Sequence, residues 1–303
     1  MSVADFKTLP PNRVRVIVDG RGLCYAATDY AVKRYPQATK EERETAIMAS
    51  IFERLSHPAS MFNTRNLVFA WESETSLRKQ LFPGYKEGRI KPPEILEQES
   101  FWLRIQYEIL PALGFANNIS IEGYEGDDII AKLCEDRVPT VIFSEDGDMY
   151  QCLKDTVIIM SIRVHGGMEA KDIRKPRVMD ATKFESLFGV KASKWADVKS
   201  IAGCGTDRVP GVPGIGEVKA IRLVNGDPLL KKNGTRSASR VMYDNNQEVV
   251  ALTRRLVTLP FDGCPDIELN PNTYSLDKLT AACAQFKLHA IMTNSTWVDF
   301  FNV

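Results

Sequence analysis

Four short runs of β-branched and aromatic residues, set between helix-length stretches, limit what this chain can fold into. They fall at residues 13–18 (RVRVIV), 66–71 (NLVFAW), 140–144 (TVIFS) and 157–162 (VIIMSI). The first stops at Asp19-Gly20, so it reads as a buried strand ending at a site, and the other three read alike. Helical patterns lie between them: residues 23–34, then 40–55 with Thr39 and Glu42 at the spacing of a capping box, then about 93–113, then 126–136. Strands alternating with helices predict an α/β domain built on a mostly parallel sheet flanked by helices. Ligands bind such sheets beyond the carboxyl ends of the strands, which is where Asp19, Trp71-Glu72 and the SEDGD segment at 144–148 fall.

Past about residue 175 the pattern changes to short helices punctuated by Gly and Pro. Residues 180–188, 193–202 and 214–224 read as helices, with VPGVPGIG at 209–216 between the last two. Residues 225–240 (NGDPLLKKNGTRSASR) read as a flexible polar loop, 247–257 as a helix, and the last forty or so carry no motif. The expected division is therefore 1–175 for the α/β domain and 176–303 for a second region.

A hydrophobic content of 44% suffices for a substantial core. No apolar run approaches a membrane span and the N-terminus lacks the pattern of a secretory signal, so a cytoplasmic protein without membrane contact is expected. Six cysteines with no CxxC pair, and three histidines (His57, His165, His289), speak against a zinc site or a disulfide framework. The net charge is zero but unevenly spread: residues 122–155 hold ten acidic against three basic groups, and residues 171–244 fifteen basic against eight acidic. That suits a protein gripping phosphates with one region and metal with another, although two solvated surfaces of opposite sign would look the same.

The acidic groups cluster by spacing. Glu125 and Asp128 share a helix face with Asp127 beside them, Asp146 and Asp148 point the same way after a strand, and Asp207 sits in IAGCGTDRVPGVPGIG. Each alone has a local explanation: Asp146 can cap a helix, and Asp127 or Asp128 can complement a helix N-terminus. Gathered with Asp19, they point to divalent cations and phosphodiester chemistry. In VPGVPGIGEVKAIRL, the glycines Gly211, Gly214 and Gly216 let backbone amides approach a phosphate, with Lys219 and Arg222 one helical turn apart beyond them; a purely structural turn is the alternative. In WESETSLRKQLFPGYKEGR, Arg78, Lys79, Lys86 and Arg89 interleave with Phe82 and Tyr85, a mixture that can hold phosphates and stack bases, or simply form a solvated helix face.

Taken in order over about residues 13–260, these segments resemble the flap endonuclease and 5′ to 3′ exonuclease family. The resemblance lies in VDG, LRKQLFPGYKEGR, GYEGDD for that family's GVEADD, FSEDGDM, and GCGTDRVPGVPGIG for its GDSSDNIPGVPGVG. It implies a PIN-like α/β domain with a helical arch at about 72–113 and a helix-3-turn-helix (helix-hairpin-helix) element that contacts DNA. Asp19, Glu125 and Asp127, with Asp128 beside them, correspond to ligands of a first metal, and Asp146, Asp148 and Asp207 to a second. Tyr85 and Lys86 correspond to the pair that stacks a base and contacts the scissile phosphate, with Arg89 nearby; Arg78 and Lys79 are expected as DNA contacts from their basic character alone. The resemblance also implies two Mg²⁺ or Mn²⁺ and a K⁺ on the carbonyls of residues 209–214. Two positions depart from the pattern: Trp71 replaces an aspartate, leaving Glu72 as substitute ligand, and Cys204 replaces the first aspartate of GDxxDN, whose asparagine is Arg208.

The implied protein is a monomeric, structure-specific 5′ nuclease acting on DNA with 5′ ends, flaps or nicks, and on RNA primers in RNA/DNA hybrids, in replication or repair. A rival reading keeps the fold and the DNA grip with weak or absent cleavage, motivated by Trp71 and Cys204. A PIN-type ribonuclease is a third, disfavoured because a helix-hairpin-helix element reads the duplex DNA backbone.

Overall fold

The computed structural model describes residues 1–162, 178–292 and 295–302. His165 and the start of the 171–244 basic block lie outside the described residues. The sheet has six strands: β1 Arg15–Asp19, β2 Leu67–Ala70, β3 Asn118–Ile119, β4 Thr140–Phe143, β5 Val157–Met160 and β6 Val178–Met179. Their order is β3-β2-β1-β4-β5-β6, parallel throughout except for the antiparallel β5–β6 pair. The chain winds one way from β1 through β2 to β3 and the other way from β1 through β4. The crevice beyond the carboxyl ends of β1 and β4 is thus the topological switch point.

Side-chain alternation along β1 feeds two cores, because successive residues face opposite sides of the sheet. Val16 and Val18 join a cluster with Leu23, Phe52, Phe69 and Phe115, while Ile17 joins Ile129, Ile142, Met149 and Trp195 on the other face. With both faces covered, the middles of the four predicted runs are near-continuously apolar, as a buried parallel sheet requires, and the buried Arg15 that starts β1 is paired with Asp136 at 2.8 Å.

The helix Gly20–Arg34 starts at the strand end because Asp19 caps it, and a Cβ on Gly20 would lie 2.7 Å from the Trp71 ring. The next helix carries the expected Thr39–Glu42 capping box but runs on through Pro58 to Met61. The helix expected at 93–113 is interrupted: Pro93–Leu96 is separate, and Glu99–Arg104 continues through a π turn at Ile105–Ile109 into Leu110–Ala112. In the second region Trp195–Ala202, Glu217–Val224 and Gln247–Val257 are helices, and the loop expected to reach residue 240 ends earlier, where Ser237 caps Ala238–Asn245.

The chain's end returns to the α/β layer. Trp297, in the helix Ser295–Phe301, donates its indole N–H to the Phe52 carbonyl at 3.1 Å and meets the Phe52 ring edge-on. Phe115 packs against Tyr274, Phe300 and Phe301. These contacts, like the pairing of β6, cross the division expected at residue 175. Among the described residues, no helix is long and apolar enough to cross a membrane.

Candidate active site

Two of the carboxylates at the switch point, Asp19 and Asp146, are held by helix caps, of which the sequence offered only that of Asp146 as a local alternative, and those caps aim them. Asp19 Oδ1 accepts from the Gly22 amide at 2.7 Å and Oδ2 from the Ser144 hydroxyl at 2.9 Å. A Cβ at Gly22 would collide with that carboxylate, so only glycine permits the approach. Asp146 caps the short helix Gly147–Cys152 by accepting from the Asp148 amide at 2.7 Å. One shallow cavity is lined by Tyr85, Glu125, Asp127, Asp148, Cys204 and Asp207.

The charges in this crevice repel one another. Withdrawal from water pushes the Asp19 carboxyl up to about 6, and Asp146 and Glu72 add to it against the hydrogen bonds from Gly22 and Ser144. Withdrawal from water likewise lifts Asp127 well above the usual carboxylate range, reinforced by Asp146 and Asp19. Asp148 is raised by the same burial and by Asp146, against the opposing Lys199 ammonium 3.3 Å away. Asp146 therefore faces the carboxylates of both expected metal groups. Hard oxygen donors gathered at mutual electrostatic cost are what a divalent cation fits, so Asp19, Asp127 and Asp146 suit a metal.

A second group lies beside the first. Carboxylate oxygens of Asp148 and Asp207 and the sulfur of Cys204 all fall within 4.8 Å of one another. Asp207 Oδ1 is buried without a hydrogen bond, with the Arg89 guanidinium 3.1 Å away.

Three of the expected site residues are engaged in the interior. Asp128 is fully buried, and its oxygens accept from Arg78 at 2.6 and 2.7 Å, from the Phe261 amide at 2.8 Å and from the Glu125 amide at 3.0 Å. Both of its carboxylate oxygens are thereby committed to protein donors. Arg78 is its buried partner, also donating to the Leu256 carbonyl and lying over the Phe261 ring. The reason is that a buried charge must be paired and hydrogen-bonded. Tyr85 is buried too and donates to Glu125 Oε2 at 2.8 Å. Burial, with Glu125 beside it, raises its phenol and keeps it neutral.

Lys86 is placed at the cavity by its backbone, whose N–H donates to the Asp207 carbonyl at 2.8 Å. Its ammonium sits 3.0 Å from Glu125 and 3.4 Å from Glu72. Burial would discharge it, but Glu125 and Glu72 outweigh burial and raise its pKa, so it stays cationic. Burial raises Glu72 in turn, yet Lys86 and Arg21, the latter at 2.7 Å, win and lower it. Lys79 is exposed. In the glycine turn, a Cβ at Gly211 would strike the Ala202 carbonyl. Gly216 caps the helix Glu217–Val224, and a Cβ added at Gly214 or Gly216 would meet nothing within 4 Å, although Gly214 holds a φ of 75° that favours glycine. Lys219 donates to the Gly214 carbonyl at 2.9 Å, and Arg222 pairs with Asp227 at 2.7 Å. Sequence reasoning missed Arg21, Ser144 and Lys199; only Arg21, directly after the strand-end Asp19-Gly20, carried a local signal.

A family profile described as the 5′-3′ exonuclease N-terminal, resolvase-like domain matches residues 14–189. The chain belongs to the 5′-3′ exonuclease family. A 5′-3′ exonuclease of Halalkalibacterium halodurans is 30% identical over 239 residues, 73% of this chain and 71% of that protein. The DNA polymerase I of Chloroflexus aurantiacus is 26% identical over 285 residues, which is 90% of this chain but 29% of that protein. The chain thus spans less than a third of the length of that DNA polymerase I. Among solved structures, the T5 D15 protein co-crystallised with metal ions aligns with a TM-score of 0.63 at 19% identity, over 92% of this chain and 98% of that one. The catalytic core of Rad2 in complex with DNA substrate aligns at 0.57 and 14% identity, over 97% and 94%. These likenesses show the fold, a PIN-like parallel sheet flanked by helices.

Two departures of this 5′-3′ exonuclease family chain from the family pattern have a structural account. Trp71 packs its ring on Gly20 and brings its indole N–H within 3.4 Å of Asn118 Oδ1, so it serves packing at the β2 end. Cys204 is half-buried at the second carboxylate group, with its sulfur 3.0 Å from the Thr206 hydroxyl.

Proposed function

We propose that this chain is a divalent-cation-dependent, structure-specific 5′ nuclease that hydrolyses DNA phosphodiesters, as a 5′ to 3′ exonuclease or flap endonuclease, in replication or repair. The observation that carries the reading is the convergence of Asp19, Asp127, Asp146 and Asp148 on the switch-point crevice, raised by burial and mutual repulsion, with the charged Lys86 at its mouth. Asp19, Asp127 and Asp146 would hold one Mg²⁺ or Mn²⁺, with Glu125 and Glu72 close by, and Asp148 and Asp207 would serve a second. Cations held there would lower the pKa of an attacking water and stabilise charge on the reacting phosphate.

The residues of the chain do the rest. Lys86, locked by its amide bond to Asp207 and kept cationic by its neighbours, is aimed to neutralise charge that builds on a phosphate above the crevice. Arg89 lies beside it and adds positive potential, and Tyr85 steadies the turn through Glu125. The amides of Gly211, Gly214 and Gly216 with Lys79, Lys219 and Arg222 would grip duplex phosphates, which recognises structure rather than sequence. A potassium ion on the carbonyls of residues 209–214 would share Gly214 with the Lys219 ammonium. Substrates would be 5′ ends, flaps and nicks, with RNA primers on DNA as a second class.

A binding protein without cleavage is the second reading, favoured by Cys204 in the second group and by Lys199 on Asp148. Gels of 5′-labelled flap, nicked and RNA-primed substrates, with and without Mg²⁺ or Mn²⁺, decide. Cleavage near the 5′ end that needs the cation is expected; tight binding with no product under either cation would overturn the nuclease.

A further inference from the structure

Five side chains of alternating charge form one chain at the mouth of the crevice, and Arg21 stands at its centre. Lys86 lies 3.4 Å from Glu72, Glu72 2.7 Å from Arg21, Arg21 3.0 Å from Glu99, and Glu99 2.5 Å from Lys91. We infer that Arg21 is a positioning residue: its guanidinium clamps the exposed stretch 87–92 by joining, through two carboxylates, the lysines that bracket it, and so holds that stretch ready for a substrate strand. The inference rests on the nuclease proposal for the substrate, while the clamp itself is measurable without one.

Arg21 does not move with the stretch it holds. It sits in the first turn of the helix Gly20–Arg34, whose start Asp19 caps at the end of β1. Its Nη1 meets Glu72 just past β2, and its Nη2 meets Glu99, the first residue of the helix Glu99–Arg104. A planar guanidinium presents these donors in a fixed fork, so one side chain sets the separation of the two carboxylates. The helix Glu99–Arg104 is anchored on the same helix as Arg21, because the buried Trp102 donates its indole N–H to Thr28 Oγ1 at 3.1 Å. Residues 87–90, by contrast, are exposed, Ile90 to 93%. Among the described residues, the ion pairs that tie this stretch down are Arg89 with Asp207 at 3.1 Å and Lys91 with Glu99.

Without Arg21, Glu72 and Glu99 would keep one lysine each and lose the cation between them, so the chain would fall into two separate pairs. A lone pair at such exposure contributes little, whereas Arg21 completes a network whose links share their charges. Lys86 does not depend on the chain for its place: its amide donates to the Asp207 carbonyl at 2.8 Å and its ammonium lies 3.0 Å from Glu125. Loss of the clamp therefore acts on substrate binding, since a loosened stretch must be ordered when the strand arrives, and leaves the reacting phosphate its contact with Lys86.

Limited trypsin digestion of the full chain at low salt, without DNA or cation, reports the clamp as the rate of nicking after Arg89. Arg21→Ala and Glu99→Ala should each raise that rate about fivefold. The double variant should go no further, because both changes cut the same chain. Arg21→Lys keeps the charge without the fork and should nick like Arg21→Ala. Lys33→Ala, which breaks a pair with Asp29 on the same helix, should leave the rate unchanged. Salt at about 1 M should bring the wild type up to the variants. Steady-state cleavage of flap and nicked DNA by Arg21→Ala should show KM raised about fivefold and kcat within about twofold. Should Arg21→Ala fail to fold by thermal melting, Glu99→Ala carries the test alone. Wild-type nicking in the variants, additive effects in the double variant, Arg21→Lys indistinguishable from wild type, or a loss confined to kcat would overturn the inference. A raised KM with wild-type nicking would do so too, by making Arg21 a direct DNA contact. Nicking that follows the clamp in a protein that cleaves no DNA sinks the nuclease proposal and leaves the clamp standing.

Discussion

Arg78 and Asp128 face each other through two parallel hydrogen bonds of 2.6 and 2.7 Å in the protein interior. The pair joins the helix Leu77–Leu81, at the base of the arch region, to the helix Gly126–Leu133 that carries Asp127. Arg78 extends the tie to Leu256 in the helix Gln247–Val257. Three segments that border the crevice therefore share one buried ion pair.

Arg78→Ala should destabilise the fold by about 3–5 kcal/mol, because it strands the Asp128 carboxylate in the interior. Urea denaturation measures it. Arg78→Met with Asp128→Leu should recover much of the loss; if Arg78→Ala were nearly neutral, the buried pairing would be wrong.

Asp148→Ala should abolish cation-dependent cleavage while leaving flap-DNA affinity close to wild type, since its side chain faces the cation group rather than a duplex. Single-turnover assays beside filter binding report both quantities. Near-normal rates would remove Asp148 from the centre.

Lys86→Ala should slow the chemical step by about 100-fold or more with little loss of affinity, as expected of a contact that counts in the transition state. Lys219→Ala should weaken duplex binding and lower its salt slope by about one. The reverse assignment of effects would mean that the crevice and the glycine turn have been given each other's roles.

Asp19 gives the metal-free protein a pH signature. Its folded value of about 6 exceeds the ordinary 3.8, so its contribution to stability is fully present below the unfolded value and is lost as pH rises through about 6. Asp127 and Asp148 shift the same way. Melting without cation should therefore show this part of the stability falling between roughly pH 4 and pH 7, and Mn²⁺ should restore more of it near pH 8 than near pH 5. Equal gains from Mn²⁺ at both pH values would argue against proton–metal competition at this crevice.

Cys204→Asp should lower the Mg²⁺ concentration needed for half-maximal cleavage, by adding a hard oxygen where the half-buried thiol now sits. An unchanged Mg²⁺ requirement with a lower melting temperature would place Cys204 in the packing instead.

The four long strands were legible because strands covered on both faces are nearly continuously apolar, a signal local to each segment. β3 and β6 were not: two residues each, they exist because a neighbour pairs with them. The helices from Leu276 onward escaped for a related reason, since Trp297 and Phe301 acquire meaning only against Phe52 and Phe115. At the site, the pairing of Arg78 with Asp128 was not legible. Each charge looked exposed or metal-bound because its partner lay 50 positions away. Sequence spacing finds charges but not the partners that bury them.

The cap on the first helix has an evolutionary consequence. Asp19 caps the start of Gly20–Arg34 and accepts from the Ser144 hydroxyl, while the Asp148 side chain, paired with Lys199, caps no helix among the described residues. A lineage that abandoned cleavage would be free to discard Asp148 but would keep Asp19 for folding. In a relative of unknown competence, Asp148 is therefore the informative position, and an intact Asp19 is compatible with a dead enzyme.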